Sequence, residues 1–171
     1  MSTSAQAEPL SSRQVFERIQ HITLHLDSPV ADLYAPDAVH EWPFALPGAP
    51  QRLTGRDQIR AFFTRAAGGS RFDFREFRNV VVHETADPEV IIAEYDIHGR
   101  ITDTGRPFVF SYILVLRVRD GQIVSLRDYL NPLAMTTAAA GPLLDDARAD
   151  DAERAANAEG AVQAKDTDDT V

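Results

Sequence analysis

The chain has 171 residues, 44% of them hydrophobic and 25% charged, with no cysteine. That is enough for one domain with a proper core, and it excludes a disulfide framework and thiolate chemistry. The net charge of −9 is concentrated at the end: from Asp145 onward nine acids face three bases, so the tail carries −6 and the remainder −3. No basic stripe is available for a phosphate backbone, so nucleic acid is not an expected partner.

The opening "MSTSAQAEPLSS" lacks the apolar stretch of a signal peptide. No run reaches the ~18 apolar residues a membrane span needs. The expectation is a soluble cytoplasmic protein without membrane contact. Residues 1–10 read as disordered. A helix starts at Ser11 or Ser12, either of which can cap it. Val15, Phe16, Ile19, Ile22 and Leu26 follow helical spacing and make one apolar stripe, which leaves His21 and His25 exposed. "VADLYAPD" reads as a short helical turn closed by Pro36, and "AVHEWPF" as a strand. "ALPGAPQRLTG" is a loop, and "RDQIRAFFTRAAGG" a helix stopped by Gly68 and Gly69.

Four strand-like runs follow: "FDFREFRNVVVHET", "EVIIAEYDIHGRI", "PFVFSYILVLRVRD" and "QIVSLRDYLN". Asp120-Gly121 between the last two is a strong hairpin signal. Helices, one strand, a helix and a meander make an α+β domain over residues 11–135, with helices on one face of a curved antiparallel sheet. From Thr136 the composition turns to Ala and Asp, too poor in large apolar residues to order itself, so 136–171 reads as a mostly disordered acidic tail.

Strand alternation assigns the faces. Ile91, Ala93, Tyr95 and Ile97 point inward, as do Phe110, Tyr112, Leu114, Leu116 and Val118. In the last strand Val124, Leu126, Asp128 and Leu130 share a face, opposed by Ile123, Ser125, Arg127 and Tyr129. His40, Trp42 and Phe44 go together in the first strand. The inward sets describe an apolar box holding Asp128, Tyr95, Tyr112 and His40, a composition that suits a small-molecule site. A carboxylate in such a box is desolvated, which raises its pKa toward values useful for proton transfer. Glu94, Asp96 and His98 fall on the outer face, where salt bridges to Arg117 or Arg119, or a contact with a second copy, account for them better than a metal does.

"LYAPDAVHEWPF", "GRDQIRAFF" and the closing "GQIVSLRDYLNP" together resemble the nuclear transport factor 2-like superfamily, in its SnoaL-like and ketosteroid isomerase-like branch. The resemblance spans roughly residues 12–135. It implies a cone-shaped sheet enclosing a pocket, no cofactor, acid/base chemistry and often a homodimer through the outer sheet face. Where ketosteroid isomerases carry their base aspartate and their oxyanion-hole acid, this chain has Trp42 and Leu114. The water-activating aspartate of limonene epoxide hydrolases falls on Asp128, but the partners on the preceding strand fall on Tyr95 and Ile97. "ETADP", "AEYDIHG" and "RDYLN" resemble phenazine-biosynthesis proteins of the A/B type in most detail. The acid/base glutamate of those proteins corresponds to Asp128, and their helix histidine to Phe62.

The resemblance and the residues together point to a cofactor-independent isomerase, cyclase or epoxide-opening enzyme acting on a hydrophobic small molecule in bacterial secondary metabolism. Asp128 would be the base, with Tyr95 and His40 hydrogen-bonding the oxygen that gains charge. Trp42, Phe44, Phe62, Tyr112, Leu114, Leu126 and Leu130 would line the substrate. A binding or partner protein without turnover on the same scaffold is the other reading.

Overall fold

The computed structural model describes residues 8–140. Helix α1 (Ser12–His25) starts with a reciprocal cap: the Ser11 hydroxyl accepts the Gln14 backbone N–H, and the Gln14 side chain accepts the Ser11 N–H. Ser12, Val15, Phe16 and Ile22 are buried along one face. Leu26 departs from the expected stripe. It takes a left-handed conformation as the residue that ends the helix, and it is 78% exposed. His21 and His25 are exposed as expected.

A 3₁₀ turn, Val30–Leu33, leads into strand β1 (Tyr34–Glu41). The strand therefore starts four residues earlier than "AVHEWPF" suggests, with Pro36 inside it. Proline is tolerated there because the pairing of β1 is irregular between Tyr34 and Val39. The loop reading of "ALPGAPQRLTG" misses a three-residue strand, β2 (Arg52–Thr54), which pairs antiparallel with the end of β1. Helix α2 (Arg56–Gly68) follows, ending at Gly69.

Strands β3 (Phe72–Glu84), β4 (Val90–Ile101), β5 (Pro107–Arg119) and β6 (Gln122–Asp128) form the meander. Asp120 and Gly121 both have positive φ, which is what a tight two-residue hairpin turn requires. The sheet order is β2-β1-β6-β5-β4-β3. All pairs are antiparallel except β1 with β6, which run parallel. The result is an α+β domain whose curved, unclosed sheet is mixed at this one junction.

The inward faces of β4 and β5 match the alternation: Ile91, Ala93, Tyr95 and Ile97 are buried, as are Phe110, Leu114, Leu116 and Val118. Together with Val15, Phe16, Tyr34 and Ile59 they make up the core. In β6 the alternation breaks. Ile123 and Leu126, three apart, are both buried, while Val124 is only half-buried. The register slips there: Arg117 pairs with Ser125 but Val118 with Ile123, so β6 carries an extra residue. Beyond the bulge the expected parity returns, and Asp128 keeps step with Leu126.

On the outer face the partners differ from those expected. Glu94 bonds His83 at 2.8 Å, and Asp96 accepts from Ser111 and Asn79 at 2.6 Å each. Arg117 and Arg119 turn instead to Glu89, and Arg117 also to Asp87. Register is the reason. Arg117 lies opposite Val90, next to the β3–β4 turn that carries both acids, whereas Glu94 lies opposite Ile113.

The N-terminal stretch expected to be disordered falls outside the described residues for 1–7, and the acidic tail does so for 141–171. Residues 136–140 are instead helical, completing α3 (Pro132–Ala140). The Asn131 side chain accepts the Leu133 N–H at its start, Pro132 suits the first turn, and the alanines favour propagation. The compact unit that holds the sheet closes at Thr136.

Gly99 has no room for a side chain: a Cβ there would strike the Asp73 carbonyl and the Phe108 ring. Gly99→Ala should cost about 2 kcal/mol or more of stability in a urea titration, whereas Gly68→Ala, with open space around it, should cost nothing measurable.

Candidate active site

Asp128 ends β6 and faces the interior. Its Oδ1 is buried and has no hydrogen-bond partner. Desolvation pushes its pKa up to about 6; the Trp42 indole N–H and the Leu130 backbone N–H favour the carboxylate and hold the rise in check. The neighbouring Arg127 is turned outward, to Glu41, so no arginine neutralises the group. The charge of Asp128 is felt by three phenols, Tyr34, Tyr95 and Tyr112, each of which burial and that charge push above the ordinary tyrosine range. All three keep their protons at neutral pH and remain hydrogen-bond donors.

His40 comes from β1, where it lies opposite Leu126 of β6 in the parallel pair. It is 3% exposed, and burial pushes its pKa down to about 3. At physiological pH it is a neutral imidazole. Nδ1 meets the Tyr34 hydroxyl at 2.8 Å, while Nε2 is buried without a partner. The ring is packed against Trp42 at 4.0 Å between centroids and against Phe63 at 5.4 Å. Trp42 in turn packs on Phe62 at 4.9 Å. On the other side Tyr95 and Tyr112 are stacked in parallel, centroids 5.1 Å apart, and Phe16 and Phe77 flank Tyr95.

The structure thus brings Asp128, Tyr95, Tyr112, His40, Trp42 and Phe62 into one aromatic-rich cluster, with Leu114 and Leu126 buried in the strands beside it. Leu130 is half-buried just past the end of β6, and its N–H serves Asp128. Phe44 does not join. It is 62% exposed and packs edge-on against Tyr129. Alternation with His40 stops because β1 ends at Glu41 and the chain turns, the Ala45 N–H bonding the Trp42 carbonyl. Two members escaped sequence reading. Tyr34 was hidden by Pro36, although its even spacing from His40 is the signal that puts both on one face of a strand. Phe63 sits next to Phe62 on α2, and nothing in a helical pattern singles it out.

An open concavity of about 420 Å³ is lined by Glu94, Asp96, Ser111 and Ile113 of the outer face together with Tyr95 and Tyr112 of the aromatic cluster. No helix among the described residues is long and apolar enough to cross a membrane.

A helix-flanked curved sheet with a buried carboxylate at the end of its last strand is the frame of the SnoaL-like domain, and the model of that family matches residues 20–126. The chain belongs to the SnoaL-like family, within the nuclear transport factor 2-like superfamily. Among curated proteins it is 35% identical to the uncharacterized protein YesE of Bacillus subtilis over 66% of this chain and 76% of that one. It is 40% identical to an uncharacterized PhzA/B-like protein of Pseudomonas aeruginosa over 64% and 76%. Among solved structures, a Bacillus subtilis protein provisionally classed as an isomerase aligns with a TM-score of 0.70 at 31% identity, covering 78% of this chain and 95% of that one. A phenazine biosynthesis-related protein of Pseudomonas aeruginosa aligns with a TM-score of 0.59 at 21% identity over 77% and 86%, which shows the shared fold.

The raised pKa of Asp128 sets the pH dependence of stability. An unfolded aspartate titrates near 3.9, and the folded one at about 6. The folded state therefore binds this proton more tightly, and the stabilisation present below ~4 is lost as pH rises through about 6. Asp128→Asn removes that loss: it should raise stability at pH 8 by on the order of 2 kcal/mol and leave pH 4 nearly unchanged, as read from urea midpoints at the two pH values. An equal effect at both would mean that the carboxylate is hydrated.

Proposed function

We propose that this chain is a cofactor-independent acid/base enzyme of the isomerase or cyclase type, acting on a hydrophobic small molecule. The observation that carries the reading is Asp128: a carboxylate whose Oδ1 is buried, unpaired and surrounded by aromatic rings. A structural acid would be bonded to a cation or to a helix end. One left with an empty acceptor and a pKa near neutrality is suited to take a proton from carbon or from a hydroxyl. Tyr95 and His40 supply neutral donors for the oxygen on which charge develops. The aromatic walls at Trp42, Phe62 and Tyr112 suit a planar, apolar substrate.

Family membership supports isomerase or cyclase chemistry. The isomerase classification of the Bacillus subtilis neighbour and the phenazine-related neighbour favour a place in bacterial secondary metabolism. A candidate polyketide cyclase from Pseudomonas putida, with a TM-score of 0.59 at 19% identity, shares the fold. It suggests 1,3-dicarbonyl compounds as first substrates to try.

Incubation with a panel of aromatic 1,3-diketones in D₂O tests the reading directly, with deuterium uptake at the acidic carbon followed by NMR. Wild-type protein should accelerate exchange, with a rate that rises with pH through about 6 as Asp128 ionises. Asp128→Asn should lower it roughly 10²- to 10⁴-fold. Equal exchange by the variant would overturn the assignment of Asp128. Tight binding of the same compounds with no exchange by either protein would favour a carrier without turnover.

A homodimer through the outer sheet face belongs to the same reading. Val81, Val109 and Ile113 are 49%, 50% and 43% exposed, and Val81 and Ile113 both lie across from Glu94 in the sheet. Light scattering should give twice the chain mass for wild type, and Ile113→Lys should shift the protein toward monomer.

A further inference from the structure

We propose that Tyr34 is a positioning residue that holds His40 in the tautomer protonated on Nε2, so that His40 meets the substrate as a hydrogen-bond donor and not as a base. This rests on the acid/base reading above and adds to it a direction for the histidine and a residue that sets it.

The argument starts from proton counting. A neutral imidazole carries one N–H. Nδ1 lies 2.8 Å from the Tyr34 hydroxyl, and both residues are nearly sealed from water, at 1% and 3% exposure. If the phenol donates to Nδ1, the ring proton sits on Nε2. Tyr34 and Nδ1 are then both satisfied, and a single group, the Nε2–H, is left to point at a ligand. If Nδ1–H donates to the phenol oxygen, the phenol proton is stranded and the Nε2 lone pair is stranded as well. Each buried polar group without a partner costs about 1–3 kcal/mol, so the first arrangement wins by one such penalty. It also leaves a donor, and not a second acceptor, unpartnered in the same interior as the Asp128 carboxylate.

Several contacts fix the pair. The Arg56 guanidinium donates to the Tyr34 carbonyl at 2.5 Å, tying β1 to the start of α2. Tyr34 and His40 lie nearly parallel, 5.9 Å apart at 27°. Trp42 and Phe63 hold the imidazole from two further directions. With the ring unable to turn over, the tautomer determines what the free nitrogen can do. Asp128 brings a buried acceptor and His40 a buried donor. Such a pair suits a substrate that offers an acidic proton beside a carbonyl oxygen.

Long-range proton–nitrogen NMR on uniformly ¹⁵N-labelled protein at pH 7 tests this without a substrate. Wild type should show His40 as a single neutral tautomer with the proton on Nε2. Tyr34→Phe should turn that signature into a mixture of tautomers and lower the rate of the exchange reaction roughly 10- to 100-fold, with KM less affected than kcat. A wild-type spectrum with the proton on Nδ1 overturns the proposal, and that measurement needs no variant to fold. A folded Tyr34→Phe protein that keeps the Nε2–H signature unchanged overturns it too. An Nε2–H signature that depends on Tyr34, found together with an Asp128→Asn variant of full activity, would uphold the positioning role while defeating the assignment of the base.

Discussion

A carboxylate kept away from water organises this protein. Asp128 has one oxygen aimed into the interior with nothing to bond it, and burial is the largest influence on its titration. Folding tolerates such a group only when the surrounding packing supplies more than the group costs. Here the rings supply it, in two groups: Phe16, Tyr95 and Tyr112 in contact on one side, and Trp42, Phe62 and Phe63 on the other. The same rings keep the local dielectric low, which makes the carboxylate basic and the surrounding phenols reluctant to ionise. Packing and reactivity thus have one cause.

The sheet order brings the groups together. His40 and Asp128 are far apart in the chain, yet β1 and β6 are neighbours, and the parallel register sets His40 against Leu126, one inward position from Asp128. The β6 bulge matters for the same reason. The extra residue near Val124 lets Ile123 close the core at one end while Asp128 still faces inward at the other. A regular strand would have sent one of the two to the outer face.

The two faces of the sheet follow different physics. Outside, charged groups find partners within reach: Glu94 with His83, Asp96 with Ser111 and Asn79, Arg117 and Arg119 with Glu89. Exposed pairs of this kind contribute little each. Inside, among the described residues, the polar groups are few and two of their atoms are left over, one on His40 and one on Asp128.

Local patterning carried much of this into the sequence. The β3 to β6 strands, the Asp120-Gly121 turn, the inward sets on β4 and β5, and Asp128 in step with Leu126 all follow from a side-chain period of two, which depends only on near neighbours. The start of α1 at Ser11 and the stop of α2 at Gly69 follow from capping chemistry, equally local. What local patterns do not contain is pairing between distant segments. The parallel union of β1 with β6, the short β2, the bulge at Val124 and the early start of β1 through Pro36 are decided by which strands lie side by side. Tyr34 reaches His40 only because β1 is already a strand six residues earlier, and Phe44 leaves the interior because that strand ends at Glu41. Composition and periodicity determined that a carboxylate would be buried. Tertiary pairing decided which donor would stand near it, because hydrogen-bond geometry depends on contacts that no stretch of sequence holds by itself.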